Sequence, residues 1–491
     1  MGVATGLPSA PASRRHVEAR SAPSPDWATL RSHLVGPLYV QGDNGYAPYA
    51  HGSNARFNGL FPAAVSLCAG GADVAACIAF AQMSGIRFAI RSGGHSYTGW
   101  STCPGLVLDL RLMASVAVDT TARVARIGAG ARLIDIYQAV SAKGLAVGGG
   151  TCSDVGVSGL ILGGGIGVMS RSWGLTLDSL LGADVVYPDG GLRRVDDTHD
   201  PDLFWALRGG GGGSFGAVTS FDVALRPAPS VAMYSLTFAW QAAAGVIDAW
   251  QHWAPVADPR LSSFAHLYAT NPTHSRTCEV VGTWTGPAAQ LTPILNGFVT
   301  STRATPTKRS LQKKTYMGAM LAEAGCTSYE ACQPSGPAIQ QRGPFAATSG
   351  ILSQPLPPSG IQTMLDRVSA GLNVPNMRRA SASLDALGGA VARVPVADTA
   401  FVHRSAIADV QYRANWDSAT SDPAPMDAYV RDMRDSMYSW CGVGAYVNYL
   451  SADIKYYGAA YWGTNYPRLR SIKKAFDPGN VFSFPQSVQP A

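Results

Sequence analysis

The sequence predicts an α+β protein in two parts: a glycine-rich mixed region, then an antiparallel sheet covered on one face by helices. Three observations carry this. Residues 55–228 mix short strand-like runs with helices and hold glycine clusters at 148–150, 163–167 and 209–213. The texture changes after "FDVALRPAPS", and strand-like and helix-like stretches then alternate to about residue 435. At 491 residues the chain is also too long for one ordinary domain.

Element by element, "ADVAACIAFAQMSG" reads as a helix with Asp73 as N-cap and Gly85 as its end. "IRFAIR" is a strand that runs into a Gly93–Gly94 turn, and "GLVLDL" is another. "SVAVDTTARVARIGAG" alternates on both sides of a turn, as a hairpin does. "LIDIYQAVSAKG" is an amphipathic helix with Gly144 past its end. In the second part "VAMYSLTFAW", "SSFAHLYA" and "CEVVGTW" read as strands, and "AAGVIDAWQHW" and "QLTPILNGF" as helices. "SGPAIQQRGPFAATSGILSQPLPPSG" reads as a long surface loop. Residues 1–25, rich in Ala, Pro, Ser and Arg, read as a disordered leader. "SRRHV" within them has the arginine pair of an export signal, but no apolar stretch follows it.

Composition excludes several classes. Hydrophobic residues are 46% and charged residues 14%, which implies a large buried core. The net charge of +6 is scattered, with no basic helix and no aromatic–basic alternation, so nucleic acid is not an expected partner. No run of 18 apolar residues exists, so no membrane span is expected. The nine histidines are dispersed, with no His-x-x-x-His and no Cys-x-x-Cys, and no metal site is expected. Cys326 and Cys332 in "GCTSYEAC" are a candidate disulfide or two buried thiols, and Cys77 falls on an apolar helix face.

Two glycine motifs fail on context. "GGGSFG" at 211–216 has dinucleotide spacing, but a helix-like segment precedes it and a strand-like one follows, the reverse of the required order. Ser214 in the same stretch lacks the strand–turn–helix setting of a hydrolase nucleophile. A tight glycine loop packed against something flat or phosphorylated remains. "IRSGGHSYTGW" is more informative. Arg91 and the small residues Ser92, Gly93, Gly94 and Ser96 surround His95, and successive N–H groups in such a turn form an anion nest suited to a pyrophosphate. The alternative for His95 is a structural hydrogen-bonder. Cys152 also follows glycines, and Gly163–Gly167 allow the backbone to lie against a ligand.

"RSGGHSYTGW", "GGTCSDVGVSGLILGGGIGVMSRSWGL", "DLFWALRGGGGGSFGAVTSF" and the C-terminal "YVNYLSADIKYYGAAYWGTNYPRLRSIKKAFDPGNVFSFPQSV" together resemble the berberine bridge enzyme-like family. These are FAD oxidoreductases of the vanillyl-alcohol-oxidase fold, and the likeness runs in order over roughly residues 55–490. The resemblance implies a PCMH-type FAD-binding domain over 26–228, a substrate domain over 229–435, and a segment over 436–491 that returns to the first. It implies FAD bonded through His95 at the flavin 8α-methyl and through Cys152 at ring carbon 6. Arg91, Ser92, Gly93, Gly94 and Ser96 would cradle it from one loop. Gly150, Thr151, Asp154, Gly156 and Gly159 would do so from the other, with Gly163, Gly164, Gly165 and the C-terminal Asn448. Double attachment suits a wide-open site for a bulky substrate. Val157 falls where the family places its oxygen gate, which implies O2 as acceptor and hydrogen peroxide as product.

The resemblance also makes Tyr449 the base that takes the substrate hydroxyl proton, with Tyr446 beside it. Read as a strand, "AYVNYLS" puts these tyrosines three apart, so a bulge or bend is needed; the alternative is two core tyrosines. A free tyrosine is a poor base at neutral pH and needs help. "SLDALGG" and "FVHRSAIADVQYRANW" resemble strands of the oligosaccharide-oxidase branch, where Asp385 would be an acid beside the base and Gln411 would bind sugar hydroxyls. Ser383 stands where that branch has another glutamine. Tyr412, Trp240, Trp284 and Trp416 are candidates to stack on sugar rings, or are core. The expectation is a secreted or periplasmic monomeric oxidase, with a cytoplasmic location as the alternative, acting on a carbohydrate or glycoside. The rivals are a natural-product tailoring oxidase and a non-catalytic flavin or saccharide binder.

Overall fold

The computed structural model describes residues 25–333 and 343–491, so the expected leader lies outside the described residues apart from Pro25. The first part holds two sheets over one core. One is four-stranded, in the order Leu38–Val40, Ala64–Leu67, Leu106–Asp109, Phe88–Arg91, and its last three strands are parallel. The helix Gly71–Ser84 supplies one of the crossovers a parallel sheet requires. Its N-cap is Gly70 rather than Asp73. Asp73 sits in the first turn, where its carboxylate accepts from the backbone N–H of Val35, Gly36 and Ala69 and ties the helix to the preceding loop. The other sheet is antiparallel, in the order Val116–Asp119, Val124–Gly128, Ala217–Ala224, Leu180–Val186, Leu192–Val195.

The second part is a seven-stranded antiparallel sheet. Its order is Lys308–Thr315, Ser230–Phe238, Ser275–Trp284, Leu261–Thr270, Met377–Ala386, Ala408–Trp416, Phe345–Leu352. The helices Ala243–Trp253, Ala288–Thr302, Pro358–Ala370 and Ala424–Ser436 share a core with one face of it. Period-2 alternation decides which side chains they cover. In Ala408–Trp416, Val410, Tyr412, Ala414 and Trp416 are buried, while Gln411, Arg413 and Asn415 point the other way. Tyr412, Trp284 and Trp416 are therefore core residues and not sugar platforms; the Tyr412 hydroxyl lies 3.7 Å from Cys441 Sγ.

The stretch expected as a long loop contains the edge strand Phe345–Leu352, buried at all eight positions. No alternation betrays it because both faces are covered. The helix Ala424–Ser436 packs on one side, and the C-terminal segment on the other, where Tyr446 N donates to Ser349 Oγ at 2.9 Å. Residues 334–342 of that stretch lie outside the described residues. Cys326 and Cys332 form a disulfide, and Cys77 is fully buried. Among the described residues no helix is long and apolar enough to cross a membrane.

Candidate active site

A cleft runs between the two parts, walled on one side by three glycine-bearing loops. The first leaves the strand Phe88–Arg91, turns at Gly94 with φ +71° and presents His95. The second, 150–156, leads into the helix Val157–Gly163. It is pinned from outside: Leu133 N and Ile134 N donate to Val155 O and Ser153 O, and the Tyr137 hydroxyl donates to Gly150 O at 2.7 Å. The two loops meet backbone to backbone. A Cβ on Gly93 would lie 2.1 Å from Gly156 N, and one on Gly156 would lie 2.1 Å from Gly93 N. Only glycine fits at either position. His95 and Cys152 are brought to the same cleft, and His95 Nε2 lies 3.2 Å from Asp154 Oδ2.

The third loop contributes Gly210–Gly213, with Gly211 at φ +83° and Gly213 at φ +79°. It hangs from the helix Val157–Gly163 through Gly209 N and Gly211 N, which both donate to Leu162 O. From behind, a buried Lys473 clamps it. Lys473 Nζ donates to Ser214 O at 2.6 Å and Phe482 O at 2.7 Å and pairs with Asp477 at 2.6 Å. Ser214 is thus buried and structural; its Oγ accepts from Val488 N.

Several residues expected at the cofactor serve the frame instead. Arg91 is fully buried beside Asp109, its Nε 3.0 Å from that carboxylate and its guanidinium donating to Tyr49 O, so it joins strands and does not reach the cleft. Gly163, Gly164 and Gly165 do not line the cleft either. A Cβ there would strike Asn448 Oδ1, the Tyr446 hydroxyl and Thr176 Oγ1 at 2.1, 2.6 and 2.1 Å, so the run is small to admit other side chains, two of them from far along the chain. Val157 is buried; in this loop the valine that lines the cleft is Val155. Ser92, Gly93, Gly94, Ser96, Gly150, Thr151, Gly156, Gly159 and Asn448 all line it.

The expected strand around Tyr449 is a 3₁₀ turn, Val447–Tyr449, closed by Tyr449 N donating to Tyr446 O at 2.9 Å. Residues i and i+3 share a face of such a turn, so no bulge is needed to bring the tyrosines together. Their rings meet edge-on at 5.1 Å. The Tyr446 oxygen accepts from Gly165 N at 2.7 Å and from Asn448 Nδ2 at 2.9 Å, which fixes it as a positioning residue. Tyr449 stacks face to face on Tyr97, 5.0 Å between centroids, and Gln411 Nε2 donates to the Tyr97 hydroxyl at 2.7 Å.

Opposite the glycine loops stands the face of the seven-stranded sheet that the helices leave free. Register puts His266, Ser383, Gln411 and Ser349 in one row across four strands, and Phe264, Asp385, Asp409 and Ile351 in the next. Ser383 Oγ lies 3.0 Å from His266 Nδ1. Burial holds His266 down to about 4, so its ring is neutral at pH 7. Burial pushes Asp385 up to about 7. Its cross-strand neighbour Asp409 is fully buried, with neither oxygen hydrogen-bonded, and is raised well above the usual carboxylate range by burial and then by Asp385. Burial likewise raises Tyr449, reinforced by Tyr97, Asp385 and Asp409. Tyr97, Asp409 and Arg413 are the site residues that motif reading missed.

Glycine-walled, with an imidazole and a thiol on one side and an acid-backed tyrosine on the other, the cleft fits a flavin dinucleotide and defines a flavin-dependent oxidoreductase. The comparisons agree. A "FAD binding domain" model matches residues 62–196, and a "Berberine and berberine like" model matches residues 445–489. A Bacillus subtilis (strain 168) protein described as an uncharacterized FAD-linked oxidoreductase is 32% identical over 465 residues, covering 94% of this chain and 98% of its own. A chitooligosaccharide oxidase superposes with a TM-score of 0.85 at 26% identity, over 94% of this chain and 99% of that one. The Acremonium strictum glucooligosaccharide oxidase does so with 0.86 at 26%, over 96% and 100%. The chain belongs to the berberine bridge enzyme-like family of FAD-linked oxidoreductases.

Proposed function

We propose that this protein is an oxidase that converts a hydroxyl-bearing carbon of a carbohydrate or glycoside, with FAD bonded to both His95 and Cys152. For a reducing sugar the product is a lactone. The observation that carries this reading is the row of polar side chains, His266, Ser383 and Gln411, beside an acid-backed tyrosine across from the flavin loops. Three oligosaccharide oxidases among the similar structures support it, one described in complex with xylobiose. Bound FAD supplies the electron acceptor for the hydride leaving the substrate carbon, and O2 then takes the electrons to give hydrogen peroxide.

The residues divide the remaining work. The Asp154 carboxylate engages His95 Nε2 and leaves Nδ1 as the nitrogen for the bond to the cofactor. Tyr449 takes the substrate hydroxyl proton at Oη. A phenolate among two carboxyl groups is disfavoured, so the proton passes on to Asp385, which is ionised above pH 7 and able to accept it. Gln411 holds the Tyr97 ring flat against Tyr449, and Tyr446 with Asn448 fixes the turn beneath it.

Acid precipitation and peptide mass spectrometry test the attachment, and oxygen uptake on oligosaccharides and aromatic alcohols tests the substrate class. Adducts at both His95 and Cys152 with turnover of a sugar are expected. Turnover of aromatic alcohols alone would make the protein a natural-product tailoring enzyme.

A further inference from the structure

Two arginines, Arg413 and Arg379, stand on the sheet face that the helices leave free, farther along their strands from Asp409 and Asp385 than Gln411 and Ser383 are. Arg413 lines the cleft with its guanidinium 4.1 Å from the centroid of Phe345, and its Nε is buried without a hydrogen-bond partner. Arg379 is exposed and lies 4.1 Å over the ring of Tyr268. Ser381 pairs with Arg413 and Arg379 with Asn415, so the arginines are diagonal neighbours on one face of adjacent strands.

Neither the half-buried Arg413 nor the exposed Arg379 forms an ion pair with a carboxylate of the described residues. Residues 334–342, which lead toward the strand under Arg413, contain no Asp or Glu. A partly desolvated guanidinium with no counter-ion is costly, and its planar fork of donors matches a carboxylate. The charge along the two strands also changes sign: Asp385 and Asp409 lie toward one end and Arg379 and Arg413 toward the other, while Glu279 on a third strand is bonded to Ser235. Contact runs from Tyr449 to Tyr97 at 5.0 Å, from Tyr97 to Phe345 at 5.2 Å, and from Phe345 to Arg413 at 4.1 Å. That is a sugar ring or two from the reacting carbon.

We propose that Arg413 and Arg379 form a carboxylate subsite, so that the substrate is an acidic saccharide or glycoside bearing a uronate on the unit next to the one oxidised. The acids toward one end of the strands and the arginines toward the other fix the direction in which such a molecule lies, neutral reducing end at the acids. This rests on the carbohydrate-oxidase reading and narrows it.

The test uses the holoenzyme and two disaccharides of equal length, one with glucuronate on its non-reducing unit and one neutral. Oxygen uptake should show about a tenfold preference in kcat/KM for the acidic sugar, carried by KM. The preference should shrink to about threefold or less in Arg413→Gln/Arg379→Gln and in 0.5 M (about 4 Å screening length) salt. Arg413→Lys should keep part of it. The exposed single variant Arg379→Gln keeps the test open if the double variant misfolds. Equal kcat/KM for both sugars, or a preference untouched in the double variant, overturns the subsite and leaves the oxidase reading standing. If neither sugar is oxidised, calorimetry decides. Tighter binding of the acidic sugar, lost in the variants, upholds the subsite and fails the oxidase reading; equal binding overturns the subsite.

Discussion

The two walls of the cleft are built on opposite rules. On the flavin side the backbones touch, and several buried groups are answered within the protein: Ser92 Oγ by Ala129 O, Tyr137 by Gly150 O, and Arg91 by its ion pair with Asp109. On the sheet side groups are left with capacity to spare, namely both oxygens of Asp409, the Nε of Arg413 and an Asp385 held near 7. The backbone of the first wall is packed in place before any small molecule arrives, as tight placement of a cofactor requires. The second keeps hydrogen-bonding and charge unspent, which is where recognition and proton transfer are found.

The comparison breaks first at Tyr449. Tyr449→Phe should slow flavin reduction by roughly 10²- to 10⁴-fold with the flavin spectrum intact, measured by stopped flow. A change under about threefold would move proton transfer elsewhere than the sheet-side wall. On the other wall, Gly93→Ala drives a Cβ onto Gly156 N, and about 1–3 kcal/mol of stability should go together with flavin content. Thermal unfolding and the visible absorbance of purified protein check this; a normally loaded variant would mean that the loops give way more readily than their contact implies.

A smaller effect sharpens the contrast through pH. Asp385 must be ionised to accept the proton, so kcat/KM should climb through about pH 7, and Asp385→Asn should abolish that limb. A limb that persists in the variant belongs to another group. Smallest is the cost to the fold. Asp385 holds its proton in the fold up to about 7 but loses it near the ordinary value when unfolded, so stability should fall between about pH 4 and pH 7 and then level off. Denaturant midpoints across that window test it, and Asp385→Asn should flatten the slope.

The flavin wall was legible because its signal is local. Ten residues around His95 and a glycine-led cysteine declare themselves without knowledge of the rest. The sheet wall is assembled by register across strands far apart in sequence, which hides Asp409; Tyr97 lies in the His95 loop itself, and only its contacts with Tyr449 and Gln411 reveal its part. Part of it was readable all the same. In "ADVQYRANW" the polar residues Asp409, Gln411, Arg413 and Asn415 fall at every second position, which already turns Tyr412 to the core. The strand Phe345–Leu352 gave no such clue, being covered on both faces. Gly163–Gly165 misled for a different reason: the room they leave is taken by Tyr446 and Asn448, nearly three hundred residues on.

The Lys473–Asp477 clamp has a bearing on how the protein is made. Gly210–Gly213 are made more than two hundred residues before the lysine that braces them and the turn that carries Tyr449. A nascent chain therefore displays its histidine and cysteine long before it has a closed pocket. A chain cut before Tyr446 should therefore purify without flavin, whatever its histidine and cysteine loops offer.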